Sequence, residues 1–319
     1  MIISSTFSPP FYLKNPHLQT FWGGLAGRRL SIPPPSITRH EGSGDDFFEV
    51  ATWSPSARPL GRIVILHGLE GSLQSGYLRS LIRLLTRIDS FSVEVICLRG
   101  CGTTINRVAR AYHSGFTDDL RSYLSLQDEP VLLVGFSIGG NIALKYLGEE
   151  GSSASRVVAA AIAISTPGNL SATAASIAQN PIYQRYFISA FHRKHRLKVA
   201  SGIASPSFAD FSSISTFYDY DSRFTAPLFG YSSAEEYWQE NSCCRFIELI
   251  RVKCRMISAL DDPFFSNASF PEKECRHNHW VDLELSQWGG HVGFIGSPLL
   301  PSYPETLILE TAATLFSWP

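Results

Sequence analysis

Short apolar, β-branched runs alternate along the chain with stretches whose apolar positions recur at helical spacing. Arg62–His67 reads Arg-Ile-Val-Ile-Leu-His, a dense run of the kind buried on both faces of a parallel sheet. Gln74–Ile88 then sets Leu78, Leu81, Ile82, Leu85 and Ile88 on one helical face. Further strands are expected at Phe47–Trp53, Ser92–Leu98, Val131–Phe136 and Val157–Ile164, with helices at Thr117–Leu126 and Gly140–Leu147. The strand pattern resumes at Lys253–Leu260 and His279–Leu285, and a helix near Pro304–Phe316 closes the chain. Strand and helix in alternation predict an α/β fold with a doubly wound, mostly parallel sheet.

Between about Pro167 and Phe246 the alternation stops. The segment is rich in Ala, Ser, Phe and Tyr and has no comparable strand run. The expected organisation is an N-terminal arm (1–46), a core in two pieces (47–166 and 247–319) and a helical cap inserted late in the sheet (167–246). The stiff Pro33-Pro34-Pro35 connector belongs to the arm. The insertion carries many rings, among them Tyr183, Tyr186, Phe187, Phe191, Phe208, Phe211, Phe217, Tyr218 and Tyr220. They suit either an apolar acyl pocket or the packing of the segment onto the core.

Composition excludes several classes. Of 319 residues, 44% are hydrophobic and 17% charged, a balance that folds rather than staying disordered. The formal net charge is −1, so no overall basic field exists for a nucleic-acid backbone. The longest uninterrupted apolar stretch, Val157–Ile164, is far short of the ~20 residues that span a bilayer. Six cysteines without repeated spacing fit reduced thiols, and a cytoplasmic protein is the expectation.

The chemistry concentrates in one pattern. Gly135-Phe136-Ser137-Ile138-Gly139 matches G-x-S-x-G and sits between an apolar strand and a helix, the context in which such a serine is a nucleophile. Ser137 needs a base. His291, in Gly289-Gly290-His291-Val292-Gly293, follows the last strand, where the chain order Ser, acid, His puts it. Asp261-Asp262-Pro263 ends the preceding strand. Asp262 is preferred as the acid, because the following proline biases its backbone to an extended form; Asp261 is the alternative. The N–H of Ile138 and that of Leu69, in His67-Gly68-Leu69-Glu70-Gly71, are expected to form the oxyanion hole. His67 reads as a residue that orders that loop. Cys275, His277 and His279 form C-x-H-x-H without the fourth ligand a structural zinc wants, so no metal and no cofactor is expected. Cys101 lies in a glycine-rich loop with nothing to lower its pKa and reads as structural.

These motifs together resemble the YheT-like family of α/β-hydrolases over nearly the whole chain. The resemblance rests on Asn15-Pro16-His17-Leu18-Gln19-Thr20, His67–Ser72, Arg99-Gly100-Cys101, Tyr112-His113-Ser114-Gly115 with Asp118-Asp119-Leu120, the Gly135–Gly140 elbow, Thr225-Ala226-Pro227-Leu228, Ala259–Phe264 and Gly289–Phe294. Gly102–Asn106 departs from the family's usual Gly-x-Pro-Asn after Arg-Gly-Cys. The resemblance implies an α/β-hydrolase fold with a cap and a serine esterase. Such an enzyme would cleave a small-molecule carboxylic ester through an acyl-enzyme. Thioester or amide hydrolysis by the same residues, or a binding protein that keeps the fold without turnover, are the alternatives.

Overall fold

The computed structural model describes residues 1–203, 211–297 and 299–318; Phe208 of the ring-rich segment lies outside them. Nine strands form one sheet: β1 (Ile2–Ser4), β2 (Ser36–Gly42), β3 (Asp46–Trp53), β4 (Gly61–Leu66), β5 (Phe91–Cys97), β6 (Val131–Phe136), β7 (Val158–Ile164), β8 (Lys253–Ala259) and β9 (Val281–Ser286). Their order is β1-β9-β8-β7-β6-β4-β5-β3-β2. From β1 to β5 every neighbouring pair is parallel, while β3 runs antiparallel to both β5 and β2.

The helices are α1 (Pro16–Leu25), α2 (Gly76–Ile88), α3 (Asp118–Leu124), α4 (Ile138–Glu150), α5 (Leu170–Ala178), α6 (Pro181–Ala200), α7 (Phe217–Tyr220), α8 (Ala226–Phe229), α9 (Ala234–Asn241), α10 (Cys244–Ile247), α11 (Glu272–Arg276) and α12 (Tyr303–Leu315). A π-helical turn, Asp221–Thr225, joins α7 to α8. The two sheet faces are covered separately, because successive side chains of a strand point opposite ways. Ile63, Ile65, Leu132 and Val134 meet Leu78, Leu81, Ile82 and Leu85 of α2 and Leu307 and Ile308 of α12. Val64, Leu66, Val131 and Leu133 meet Leu120 and Leu124 of α3 and Ile142 and Leu144 of α4. The fold is doubly wound, as its pattern predicts.

Two edge strands escape the sequence pattern. β2, Ser-Ile-Thr-Arg-His-Glu-Gly, leaves nearly every side chain exposed and is held by its ladder to β3. β1 is three residues long and pairs Ile2–Ser4 with Leu283–Leu285 of β9.

The site lies where the strand order reverses. After β4 the chain steps outward to β5, then returns to the other side of β4 for β6. A crevice opens at the carboxyl ends of strands at such a switch point. Helices α5–α10 fill the interval between β7 and β8, with no strand among their described residues. Asn169 and Asn180 cap α5 and α6 through their side-chain oxygens, and Pro181 takes the first position of α6, which lacks an intrahelical partner for an N–H in any case. Rings from this interval form a cluster of their own around Phe187, Phe191, Phe211, Phe217 and Phe224, which Phe264 of the core joins.

Candidate active site

β6 is wholly buried and ends directly at Ser137. There the backbone turns sharply: Ser137 has φ 53° and ψ −121°, a left-handed φ that strains any residue but glycine by about 1–3 kcal/mol. Surrounding bonds hold the turn. Ser137 N–H donates to Ile164 O at 2.8 Å, and Ser137 O accepts from Gly140 N–H at 2.9 Å. Close packing explains the flanking glycines. A Cβ on Gly135 would lie 2.5 Å from the Gly140 Cα, and one on Gly139 would lie 2.5 Å from Leu66 O; neither backbone contact can yield.

His291 stands in the loop after β9. Its Nε2 is 3.0 Å from Ser137 Oγ and its Nδ1 2.8 Å from Asp262 Oδ2. An ionised carboxylate only accepts, so Nδ1 carries the proton toward Asp262 and Nε2 is free to accept from the serine hydroxyl. The Asp262 side chain is fully buried and the imidazole 10% exposed. Asp262 Oδ1 also accepts from Phe264 N–H at 2.9 Å. Phe264 lies against the ring of His291, centroids 4.1 Å apart.

Asp261 turns elsewhere. Its Oδ1 accepts from Gly290 N–H at 2.9 Å, and burial raises its pKa. It braces the histidine loop rather than capping the turn that follows it.

Leu69 follows β4, and the Leu69 loop runs beside the elbow; a Cβ on Gly68 would come within 3.2 Å of Ser137 Cβ. Leu69 and Ile138 line one cavity with Ser137 and His291. Neither N–H has a hydrogen-bond partner among the described residues. His67 is fully buried, with Nδ1 2.8 Å from Gly68 O and Nε2 3.1 Å from Leu98 N. Burial pushes its imidazole down to about 4, so it stays neutral and ties the loop to β5.

Several supporting residues lie in motifs of the sequence whose role the local sequence does not give. Thr20 Oγ1 accepts from His291 N–H at 2.9 Å. Gln19, entirely buried, donates to Leu13 O and Ile295 O at 2.8 and 3.0 Å and accepts from Ile295 N–H at 2.7 Å. The Asn15–Thr20 motif of the arm thus clamps the histidine loop. Tyr77 OH accepts from Gly68 N–H, and Tyr112 OH accepts from Glu70 N–H, each at 2.9 Å. Tyr112 also donates to Glu70 Oε1 at 2.8 Å. Lys194 of α6 reaches the same oxygen at 2.6 Å and Cys101 Sγ at 3.1 Å. Burial opposes the Lys194 charge, yet Cys101 and Glu70 beside it hold its pKa above the ordinary value.

Of the other singled-out residues, His113 lines the cavity beside Ser137, and Arg99, Cys275 and His277 do not. Arg99 is fully buried, forked onto Asp119 at 2.8 and 2.5 Å. His113 is packed among Phe116, Phe229, Tyr231 and Tyr237. Burial raises the Cys101 thiol pKa. Cys275 is buried beside Met256, and His277 is exposed opposite Glu248; no group of three potential metal ligands occurs among the described residues.

The cavity encloses about 830 Å³ free of protein atoms, part of it open to solvent. Much of its lining is apolar, with Leu170, Ile177, Phe187, Phe191, Phe217 and Trp238, while Glu70, Tyr112 and Lys194 also line it. Buried Asp221 lies there too, accepting from Trp238 Nε1 and Thr225 Oγ1 at 2.7 Å each; burial pushes its carboxyl up to about 6. A second, more polar cleft reaches Ser137 and His291 from the other side, past Thr20, Arg28, Ser72, Tyr186 and Arg193.

Comparison with known proteins agrees with this architecture. Residues 61–298 match the family profile described as the alpha/beta hydrolase fold. YheT of Escherichia coli (strain K12) is 34% identical over 309 residues, 93% of this chain and 89% of that one. A monoacylglycerol lipase of Saccharomyces cerevisiae is 29% identical over 255 residues, 76% of this chain and 56% of its own. The Pyrococcus furiosus esterase Pf2001 has a TM-score of 0.57 to this chain at 15% identity, covering 88% of this chain and 90% of its own, a likeness of fold alone. The chain belongs to the α/β-hydrolase fold family and, within it, to the YheT-like group.

Proposed function

We propose that this carboxylic ester hydrolase works through an acyl-enzyme on Ser137, with His291 as general base and acid and Asp262 as the residue that orients His291. One observation carries the reading: the continuous chain from Ser137 Oγ to His291 Nε2 at 3.0 Å and from Nδ1 to Asp262 at 2.8 Å. A serine hydroxyl is a weak nucleophile until a neighbouring base takes its proton in the attack. Ser137 Oγ adds to the ester carbonyl as its proton moves to His291 Nε2. Asp262 stabilises the imidazolium. The carbonyl oxygen, now anionic, sits between the N–H groups of Leu69 and Ile138. His291 then protonates the departing alcohol, and water repeats the sequence on the acyl-enzyme to release the acid.

The substrate is a small-molecule ester with an apolar acyl chain. The apolar wall formed by residues 167–246 supports this, as its rings line the cavity that also holds Ser137. That segment serves as the lid of the site, and the alcohol leaves through the polar cleft past Arg28 and Arg193. Asp221 at the wall has both carboxylate oxygens hydrogen-bonded, one by Thr225 and one by Trp238.

Replacing Ser137 by Ala removes one oxygen from a buried turn and leaves the fold. The expected outcome on a p-nitrophenyl ester is a fall in kcat on the order of 10⁴–10⁶. Turnover within tenfold of the wild type would refute the reading.

A further inference from the structure

Acidic residues are unevenly placed. Residues 1–40 and 151–209 contain no Asp or Glu, yet they carry ten Lys and Arg. The chain as a whole is near neutrality at −1, so its charge is segregated, not merely basic. Two helices from these segments, α1 and α6, meet beside the polar cleft. His17 Nδ1 lies 2.8 Å from Tyr183 OH, and Phe21 stacks on Tyr183 with centroids 5.6 Å apart.

The outward faces of both helices are apolar, that of α6 is basic as well, and α1 is followed by Arg28 and Arg29. On α1, Leu18, Phe21 and Trp22 fall at i, i+3 and i+4, one stripe of a helix, and are 48%, 43% and 39% exposed. On α6, Ile182, Tyr186 and Leu197 are 68%, 56% and 55% exposed, and Arg185, Arg193 and Arg196 share their stripe and are exposed too. Those three arginines, and Arg28 and Arg29 after α1, have no ion pair among the described residues. The opposite face of α6 is spent on the interior, through Tyr183, Phe187, Phe191 and Lys198. A scattered exposed apolar residue needs no explanation. Two neighbouring stripes of aromatic and aliphatic side chains, one interleaved with unpaired arginines and the other followed by two, with no carboxylate on either, match what lies in a lipid–water boundary.

We propose that the α1/α6 face docks on an anionic lipid surface, placing the polar cleft against the lipid from which an apolar ester is drawn. Thr20, Arg28, Tyr186 and Arg193 line that cleft on its way to Ser137, so the docking face and the access route are continuous. The protein lies on the surface and does not span it: no helix among the described residues is long and apolar enough to cross a membrane. The access role rests on the proposed ester chemistry at Ser137; docking itself does not, and it is measured without turnover.

The test uses the full chain carrying Ser137→Ala. It is sedimented with vesicles of phosphatidylcholine alone and with vesicles holding about one third phosphatidylglycerol. The expected result is binding to the anionic vesicles at least tenfold stronger than to the neutral ones, weakening as salt rises from low ionic strength to about 0.5 M. Reversing two charges, Arg185→Glu with Arg196→Glu, is expected to weaken binding at least tenfold, while Arg185→Lys with Arg196→Lys keeps it within about threefold. The lysine pair guards against a variant that fails merely by misfolding. Equal binding to both vesicle types, or full binding by the charge-reversed chain, overturns the proposal. So does the absence of vesicle binding, whether or not a dimer seen by sedimentation accounts for the face.

Discussion

Asp261 and Asp262 are adjacent in the chain and face different partners. Asp262 meets His291 Nδ1, and Asp261 meets Gly290 N–H. Asp262→Asn replaces a carboxylate that only accepts with an amide that also donates, which favours the wrong imidazole tautomer. Its kcat is expected to fall by roughly 10⁴, read on a soluble ester. Asp261→Asn keeps an acceptor for Gly290, so its kcat should stay within tenfold; the reverse order would move the acid role to Asp261. Thr20 offers a finer probe. Thr20→Val keeps the shape and removes the acceptor of His291 N–H. Leaving that donor unpaired costs about 1–3 kcal/mol, and the loosened loop should lower kcat more than it raises KM. Unchanged kcat in a folded Thr20→Val protein would deny the arm any part in positioning His291.

At the scale of elements, Lys194 and Glu70 join α6 to the Leu69 loop with both side chains about nine-tenths buried. Removing one member of such a pair strands the other charge, a loss of about 3–5 kcal/mol, whereas removing both is much milder. Lys194→Met is therefore expected to lower the unfolding free energy by that amount, and Lys194→Met with Glu70→Gln to recover much of it in a double-mutant cycle. Additive losses would show that the pair does not couple the helix to the loop. Phe217, on the apolar wall, makes a separate prediction. Phe217→Ala should shift the preferred acyl length across a p-nitrophenyl ester series, while a small organophosphonate still reacts.

What was legible in the sequence follows from the range of each interaction. The parallel strands announce themselves because burial on both faces demands continuous apolar runs, as in β4 and β6. The elbow is legible because its strained turn needs Gly135 and Gly139 within a few residues of Ser137. The support of His291 is not, since Thr20 stands 271 residues away in the chain and a single polar pairing leaves no periodicity. The Lys194–Glu70 bridge spans 124 residues and is silent for the same reason. β2 is silent because an exposed edge strand is held by backbone bonds, which any side chain permits. Nor did the near-zero net charge disclose that whole segments exclude acids; a total hides a distribution.

Across the whole molecule, buried neutral imidazoles set a response to acid. Burial pushes His67 down to about 4 and His113 down to about 3, against 6.5 for a free imidazole. Between pH 6.5 and about 4 the unfolded chain takes up protons on both and the folded chain does not, so stability falls as the pH is lowered. Asp221, pushed up to about 6 by burial, works the other way across part of that window, as do Asp119, Asp261 and Glu305, which burial also raises, while His40 and His195, lowered by burial, add to the loss. The two fully buried imidazoles carry large shifts and lose stability across the whole window, so the net expectation is a loss by pH 4. Urea midpoints measured from pH 7 to 4 should drop accordingly, and His113→Asn should flatten the slope; a flat wild-type profile would contradict the assignment.

Turnover depends on Ser137 Oγ as the atom that carries the acyl group. The most direct measurement is to treat the protein with a fluorophosphonate, digest it and locate the adduct by mass spectrometry. One adduct on Ser137 is predicted, absent from Ser137→Ala and formed at least a hundredfold more slowly in His291→Ala. An adduct on another residue, or ester turnover that survives complete labelling of Ser137, would contradict it.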